Sequence, residues 1–323
     1  MKNAWRKLLL ALNDVGARFA VRIPKVASAA KITSIDLERT KVSAIMPLAD
    51  GGAIVCAYDN ISRRHAYIYK ITSSGWATRV HASDEAETYG KADCIDGWYY
   101  LPQELEGPIV RVEYVSGAVQ VCEVKQPRKY ATISVDGATA CNHTGGTPSL
   151  FDSRTGADLQ IHFHQLHDIG SSILHIDDEW ICSADCNGGV QSSKGWSLIA
   201  QSIPLVGHVC GRLLAFFCNG CVKVIDKGNF KKMIAQTPGK PRRGVTHDGT
   251  FFWMTDFPAE LWASNGDKAK CIWHFPNTQN KNPAREGSLF SADVCVDSNG
   301  DLLVARSIGE MDGLEVWRIK TEI

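Results

Sequence analysis

The chain has 323 residues, of which 44% are apolar, and its 35 Lys and Arg are balanced by 35 Asp and Glu. The formal net charge is therefore zero, which disfavours a non-specific nucleic-acid binder, because such proteins usually carry a basic excess. The apolar fraction is sufficient for a buried core, so we expect a globular protein.

The first 30 residues are predicted to form an amphipathic helix and an extended arm (residues 22–30), and residues 31–323 to form a separate domain. The apolar side chains on one face of the helix are Trp5, Leu8, Leu9, Leu12 and Phe19. Its apolar stretch is too short for a signal peptide or a membrane span, so we expect synthesis in the cytoplasm. Three roles fit the helix: packing on its own domain, docking onto another protein, or lying on a membrane surface.

Turn signals recur about every 40 residues along the rest of the chain, in two interleaved registers. The first register is Asp50-Gly51-Gly52, Asp96-Gly97, Asp136-Gly137, Asp177-Asp178, Gly211-Arg212, Asp248-Gly249 and Ser298-Asn299-Gly300. The second register is Gly75, Gly117, Gly156, Gly195, Gly228 and Gly266. The turns separate runs of β-branched and aromatic residues, which favour strands. A four-stranded unit that repeats at this period predicts an all-β fold, a β-propeller.

The predicted strands can be assigned unit by unit. The first unit comprises residues 42–48, 53–58, 65–71 and 76–82, and the second comprises residues 92–95, 98–101, 109–114 and 119–125. The outer strands of the next four units are residues 158–166, 196–203, 230–237 and 270–276. This assignment gives seven units, and six or eight would result if the third and fourth units were divided differently.

The seventh unit has three strands, at residues 292–296, 302–306 and 314–319, and the sequence then ends at residue 323. Residues 32–37 alternate in polarity and precede the first inner strand. We predict that they pair with residues 314–319, because this strand exchange between the termini closes the ring, whereas an open ring would leave two edges unpaired. The predicted fold is a seven-bladed propeller closed in this way, with a helix at its N-terminus.

Two segments resemble known propeller repeats more closely than the others. Residues 292–305 (ADVCVDSNGDLLVA) and residues 244–256 (GVTHDGTFFWMTD) are similar to the repeats of NHL and SMP-30/gluconolactonase-like propellers. This resemblance implies the fold, and it implies no catalytic residues, because the matching positions are turns and core strands.

The eleven cysteines are odd in number and follow no signal peptide, so we expect free thiols in a reduced protein. Cys182, Cys186, Cys218 and Cys221 lie in neighbouring units with spacings that suit a tetrahedral zinc site. The favoured alternative is that both Cys-Asn-Gly turns simply follow from the repeat, and a disulfide at the second turn is a third interpretation.

Other metal ligands are suggested by His162, His164, His167 and Asp168, whose donor atoms would converge at the end of a strand. That strand is an outer one, and propeller enzymes hold their metal near the central axis, so we favour solvated histidines. Asp93 and Asp293 occupy equivalent inner-strand positions, where they would bind Ca²⁺ or, as we favour, bridge backbone groups between units. We therefore predict no bound cofactor.

The longer loops are predicted to lie together on the face opposite the tight turns, and long loops of repeat proteins often bind partners. Acidic residues, including Glu85 and Glu104, belong to the loops of the second unit, whereas Arg242, Arg243 and Arg285 lie across the ring. Such a separation of charge would orient a protein partner, although ordinary solvated loops fit equally well.

Neither a Gly-x-Ser-x-Gly elbow nor a phosphate-binding loop occurs in the sequence. We therefore interpret the chain as a non-enzymatic binding or assembly module, which binds protein partners through its helix and its loop face. It would suit a structural or accessory component of a large particle, such as a phage virion or tail. The alternative is a metal-dependent hydrolase or lactonase of the SMP-30 type.

Overall fold

The computed structural model describes residues 22–36, 40–59, 65–83, 88–101, 108–125, 131–136, 139–142, 149–152, 154–162, 169–176, 179–184, 189–192, 195–198, 205–209, 213–218, 221–226, 229–238, 241–255, 259–265, 268–276, 291–308 and 313–322. Side chains are described outside residues 124–149 and 161–243. These ranges form strands and turns, and they include no helix long and apolar enough to cross a membrane.

The described strands form seven four-stranded sheets, and every pair of neighbouring strands is antiparallel where its register is given. Strand β1 (Lys25–Ile35) shares a sheet, which we call the terminal sheet, with β26 (Ala292–Val296), β27 (Leu302–Ser307) and β28 (Leu314–Glu322). Each of the other sheets consists of four consecutive strands.

The next two sheets are β2 (Thr40–Pro47), β3 (Ala53–Asp59), β4 (Ala66–Ile71) and β5 (Ala77–Ser83), and β6 (Cys94–Ile95), β7 (Trp98–Leu101), β8 (Pro108–Glu113) and β9 (Val119–Lys125). They are followed by β10 (Ala131–Asp136), β11 (Thr139–Asn142), β12 (Ser149–Asp152) and β13 (Asp158–His162), and by β14 (Ile169–Ile176), β15 (Glu179–Ala184), β16 (Gly189–Ser192) and β17 (Gly195–Leu198). The last two are β18 (Leu205–Val209), β19 (Leu213–Cys218), β20 (Cys221–Asp226) and β21 (Asn229–Pro238), and β22 (Pro241–His247), β23 (Thr250–Thr255), β24 (Glu260–Ser264) and β25 (Ala269–His274).

The terminal sheet contains the strand pairing that the sequence predicts. Ile35 faces Leu314 and Thr33 faces Val316 in an antiparallel register, so this prediction is confirmed. The strand is longer than expected, because the register continues to Lys25, which faces Glu322. Residues 25–30, which the sequence analysis assigned to an extended arm, therefore belong to the terminal sheet.

Apolar side chains fill the spaces between three pairs of neighbouring sheets whose side chains are described. The clusters include Met46 with Tyr99 between the β2–β5 and β6–β9 sheets, Val55 with Leu303 between the terminal and β2–β5 sheets, and Phe252 with Val304 between the β22–β25 and terminal sheets. The first strands of several successive sheets also contact one another: β10 with β14, β14 with β18, β18 with β22, β22 with β26, and β26 with β2. The sheets are thus stacked side by side, with their first strands together.

The tight turns have the backbone conformations that their sequences favour. Asp96-Gly97 and Asp248-Gly249 both have positive φ at two successive residues, as two-residue hairpin turns require. Gly75 has φ +90°, and a β-carbon there would clash with the carbonyl oxygen of Ile32 in β1. Gly75 therefore lets the β4–β5 turn approach the terminal sheet.

Replacing Gly75 by Ala should lower the free energy of unfolding by about 2–3 kcal/mol. The alanine would be strained at a positive φ, and its β-carbon would also displace β1. Gly97 provides the matched control: its φ is +82°, but no described atom lies within 4 Å of a β-carbon built there. Gly97→Ala should therefore cost only about 1 kcal/mol. Urea denaturation of both variants checks this order, and equal losses would contradict the close approach to β1.

Candidate functional site

Most residues of the predicted docking surfaces lie outside the described residues. These are Trp5, Leu8, Leu9, Leu12 and Phe19 of the helix, and Glu85, Glu104 and Arg285 of the loop face. Arg242 and Arg243 are described, and they belong to strand β22 rather than to a loop. Pro241 faces Thr255 and Gly244 faces Trp253, so β22 accommodates one extra residue in a bulge. The loop position was wrong because the bulge continues the strand through this charged pair.

The predicted metal ligands are described only in part. His162 ends β13 and faces Ser149, whereas His164, His167 and Asp168 lie outside the described residues. Cys218 faces Cys221 across the β19–β20 turn, Cys182 belongs to β15, and Cys186 is not described. Both ligand sets stay predictions.

Asp293 bridges neighbouring sheets, as the favoured interpretation of the sequence proposed. It is buried in β26, where its Oδ2 accepts a hydrogen bond of 2.9 Å from the backbone N–H of Ile45 in β2. Its Oδ1 lies 3.0 Å from Lys91 Nζ, and Lys91 also donates to the carbonyl oxygen of Val294. Both carboxylate oxygens are therefore engaged, and a calcium ion would have to displace the ammonium group of Lys91. Asp93 is exposed and precedes β6, which begins at Cys94.

A second buried carboxylate, Glu315, organises the terminal sheet. Its Oε2 accepts hydrogen bonds from Arg306 Nε and Nη2, at 3.1 and 2.9 Å, and from Trp317 Nε1 at 3.0 Å. Its Oε1 accepts one from Lys31 Nζ in β1 at 3.1 Å. Burial alone would raise the pKa of Glu315, but hydrogen bonds from Trp317, Lys31 and Arg306 outweigh it and lower that pKa. Glu315 therefore holds strands together as a carboxylate.

Asp297 serves the turn between β26 and β27. Its Oδ1 accepts hydrogen bonds from the backbone N–H groups of Asn299 and Asp301, at 2.8 and 3.0 Å. Its Oδ2 lies 3.6 Å from Arg318 Nε, and Arg318 also donates to the carbonyl oxygen of Gly51 in the turn between β2 and β3. The arginine thus joins two tight turns of neighbouring sheets.

Large apolar side chains are exposed at two neighbouring turns. Trp76 is 73% exposed in the turn before β5, and Val115 is 67% exposed in the turn before β9. Lys70 joins the two sheets by donating a hydrogen bond of 2.6 Å to the carbonyl oxygen of Ser116. Trp76 was predicted to begin a strand, but it precedes β5 and faces solvent. These side chains provide apolar surface on the tight-turn face, which the sequence interpretation had left without a role.

One cluster of potential metal ligands was missed at the sequence level. Glu260 at the start of β24 faces His274 at the end of β25, and the side chain of Cys271 lies beside them. His274 Nδ1 is 3.0 Å from Glu260 Oε1, and Cys271 Sγ is 3.6 Å from His274 Nε2. The sequence signal was the Cys-x-x-His spacing at the end of an outer strand.

No protein-family model matches this sequence, and no curated protein sequence is significantly similar to it. The structure is similar to the WD40 domain of Pan2 from Neurospora crassa, with a TM-score of 0.59 and 10% identity, over 91% of this chain and 96% of that one. It is also similar to BamB from Moraxella catarrhalis, with a TM-score of 0.50 and 14% identity, over 91% and 98% of the two chains. The computationally designed protein Ika8 has a TM-score of 0.52 and 11% identity, over 90% and 99%. At such low identity these similarities show the fold alone, and the fold is a β-propeller.

Proposed function

We propose that this chain is a non-enzymatic binding or assembly module, whose propeller binds protein partners through the N-terminal helix and the loop face. The observation that supports this most strongly is the use of Asp293. An inner-strand carboxylate is where a propeller hydrolase of the SMP-30 type would hold its metal, and here both its oxygens are engaged by Lys91 and Ile45. The buried group therefore stabilises the scaffold, and the hydrolase alternative has no free carboxylate at this position.

We further propose that the seven sheets are the blades of one closed ring. The contacts between first strands of successive sheets support this arrangement, and so does the pairing of β1 with β28, which leaves the terminal sheet with a full set of four strands. A closed ring would keep every blade at four strands, which suits a rigid module that presents loops to partners.

The expected partner is a protein. A rigid propeller with an amphipathic helix at one end suits a structural or accessory component of a large particle, such as a phage virion or tail, and we include that role in the proposal. Exposed Trp76 and Val115 offer a third surface, on the tight-turn face. The three surfaces can be distinguished, because each is defined by its own residues.

Quantitative affinity capture by the full chain, compared among variants, tests this proposal. Replacing Leu8, Leu9 and Leu12 by Ser should remove partners that bind the helix. Replacing Arg242 and Arg243 of β22 by Glu should slow association with a partner that binds at this charged pair and flatten its salt dependence, because charged side chains steer encounter. Trp76→Ser tests the tight-turn face in the same way.

Arg79→Glu is the matched control, since Arg79 is an exposed arginine on the outer strand β5. This control should capture partners as the wild type does, and all variants should keep the thermal midpoint of the wild type. Identical captured proteins and association rates across all variants would contradict a binding module. Hydrolysis of a lactone that is lost in Asp293→Asn would instead favour the hydrolase.

A further inference from the structure

The Glu260, Cys271 and His274 side chains share one face of the β24–β25 pair because of a β-bulge. Glu260 faces His274, Leu261 faces Trp273, and Trp262 faces Cys271, so Ile272 is an extra residue in β25. In a regular strand, residues three positions apart point to opposite faces. The bulge reverses this alternation and brings the thiol and the imidazole to the same side.

The donor atoms have nearly the spacing that a tetrahedral metal requires. His274 Nδ1 lies 3.0 Å from Glu260 Oε1 and 3.9 Å from Cys271 Sγ. All three ligand atoms lie within 4.8 Å of one another. Zinc bonds of about 2.0 Å to N and O and about 2.3 Å to S separate such atoms by about 3.3–3.6 Å. The two distances to His274 Nδ1 are each within about half an ångström of these separations, and a bound metal would draw the carboxylate and the thiolate together.

A neighbouring side chain already orients the carboxylate. Trp262 Nε1 donates a hydrogen bond of 2.9 Å to Glu260 Oε2, which leaves Oε1 directed at His274. Hydrogen bonds of this kind hold metal-ligating carboxylates in place. The side chain of Glu260 is 14% exposed and that of His274 is 73% exposed, so the cluster is closed on one side and open to water on the other.

The same three residue types also form nucleophilic triads, but the thiol does not suit that role. Burial and the nearby Glu260 carboxylate raise the pKa of Cys271 to about 11. Reactive cysteines have a lowered pKa, because the thiolate is the nucleophile. A divalent metal removes this obstacle, since binding displaces the thiol proton to solvent.

We propose that Glu260, Cys271 and His274 form a zinc site on the two outer strands of the β22–β25 sheet, with water as the fourth ligand. The mixed sulfur, nitrogen and oxygen donors suit Zn²⁺, whereas Ca²⁺ and Mg²⁺ require oxygen ligands. The site is distinct from both ligand sets predicted from the sequence. A bound metal would link the last residues of β25 to β24 and stabilise the outer edge of this sheet.

Titration of the reduced, metal-free full chain with Co²⁺ tests this site, because a cobalt–thiolate bond gives a charge-transfer band in the near ultraviolet. The band should saturate at one equivalent and disappear when Zn²⁺ is added. Cys271→Ser should abolish it, and Glu260→Gln or His274→Ala should weaken Co²⁺ binding at least 10-fold. Trp262→Phe, which removes the orienting hydrogen bond, should weaken binding about 10-fold.

Cys122→Ser is the matched control, because Cys122 is also a half-buried free thiol on an outer strand, β9. It should retain the band and the affinity of the wild type. Absence of the band in the wild type, a band unchanged by Cys271→Ser, or an equal loss in Cys122→Ser would each overturn the proposal. Circular dichroism of every variant should match the wild type, since His274 is exposed and the substitutions are small.

Discussion

Removing residues 1–38 should prevent cooperative folding, whereas removing residues 1–22 should leave the thermal midpoint nearly unchanged. The longer deletion removes all of β1, which covers the edge of β28 and packs Ile32 and Ile35 against a buried cluster. It also removes Lys31, which pairs with Glu315. We expect a loss of more than about 5 kcal/mol, which is the lower end of the total stability of native domains.

Thermal melts followed by circular dichroism, together with size-exclusion chromatography, check this expectation. The longer deletion should also aggregate, because it exposes a strand edge. A deletion of residues 1–30 distinguishes the structure from the sequence interpretation. If residues 22–30 were only an arm, their removal would not change stability. In the structure, however, Val26 and Ala29 pack against a core cluster. Its midpoint should therefore fall below that of the 1–22 deletion. Equal midpoints for all three proteins would contradict a structural role for β1.

Replacing Arg306 by Met should lower the free energy of unfolding by about 3–5 kcal/mol, because it leaves the Glu315 carboxylate buried without its main partner. Lys31→Met is the matched control on the same carboxylate, and it should cost less than about 1 kcal/mol, since pairs with an exposed member contribute little. Lys31 is 46% exposed, whereas Arg306 is buried. Urea denaturation measures both losses.

A double variant, Arg306→Met with Glu315→Leu, should recover much of the loss, because replacing both members of a buried pair is often neutral. The network also has a pH signature. Because the folded protein lowers the pKa of Glu315, its contribution is full above the unfolded value of about 4.3 and is lost as the pH falls through the folded value. The difference in stability between wild type and Glu315→Gln should therefore shrink below about pH 4, and a constant difference would contradict the network.

The sequence predicted those parts of the fold that depend on neighbouring residues. β26 and β7 have their predicted bounds, because runs rich in apolar or aromatic residues and adjacent turn signals define both. It did not predict the start of β1, whose first residues are exposed or only half-buried and pair with β28. The partners are far apart in sequence, since Lys31 and Glu315 are separated by 284 positions, so no local pattern contains this information.

The candidate sites were harder to predict for a related reason. The side chains of Cys271 and His274 meet only because Ile272 is an extra residue in β25, and regular alternation would separate them. The same effect placed Arg242 and Arg243 in a strand rather than in a loop. A bulge is decided by the partner strand, so its effect on side-chain direction is visible only in the structure.

The pairing of β1 with β28 has a consequence for synthesis. β1 is made first but can be paired only after β28 has been translated, 284 residues later as measured from Lys31 to Glu315. At about 5–20 residues per second, this interval lasts on the order of 15–60 s. During that time β1 has no native partner and is available to other nascent chains. We therefore expect the protein to be most prone to aggregation during its translation. High expression levels should favour aggregation of nascent chains rather than of the completed protein.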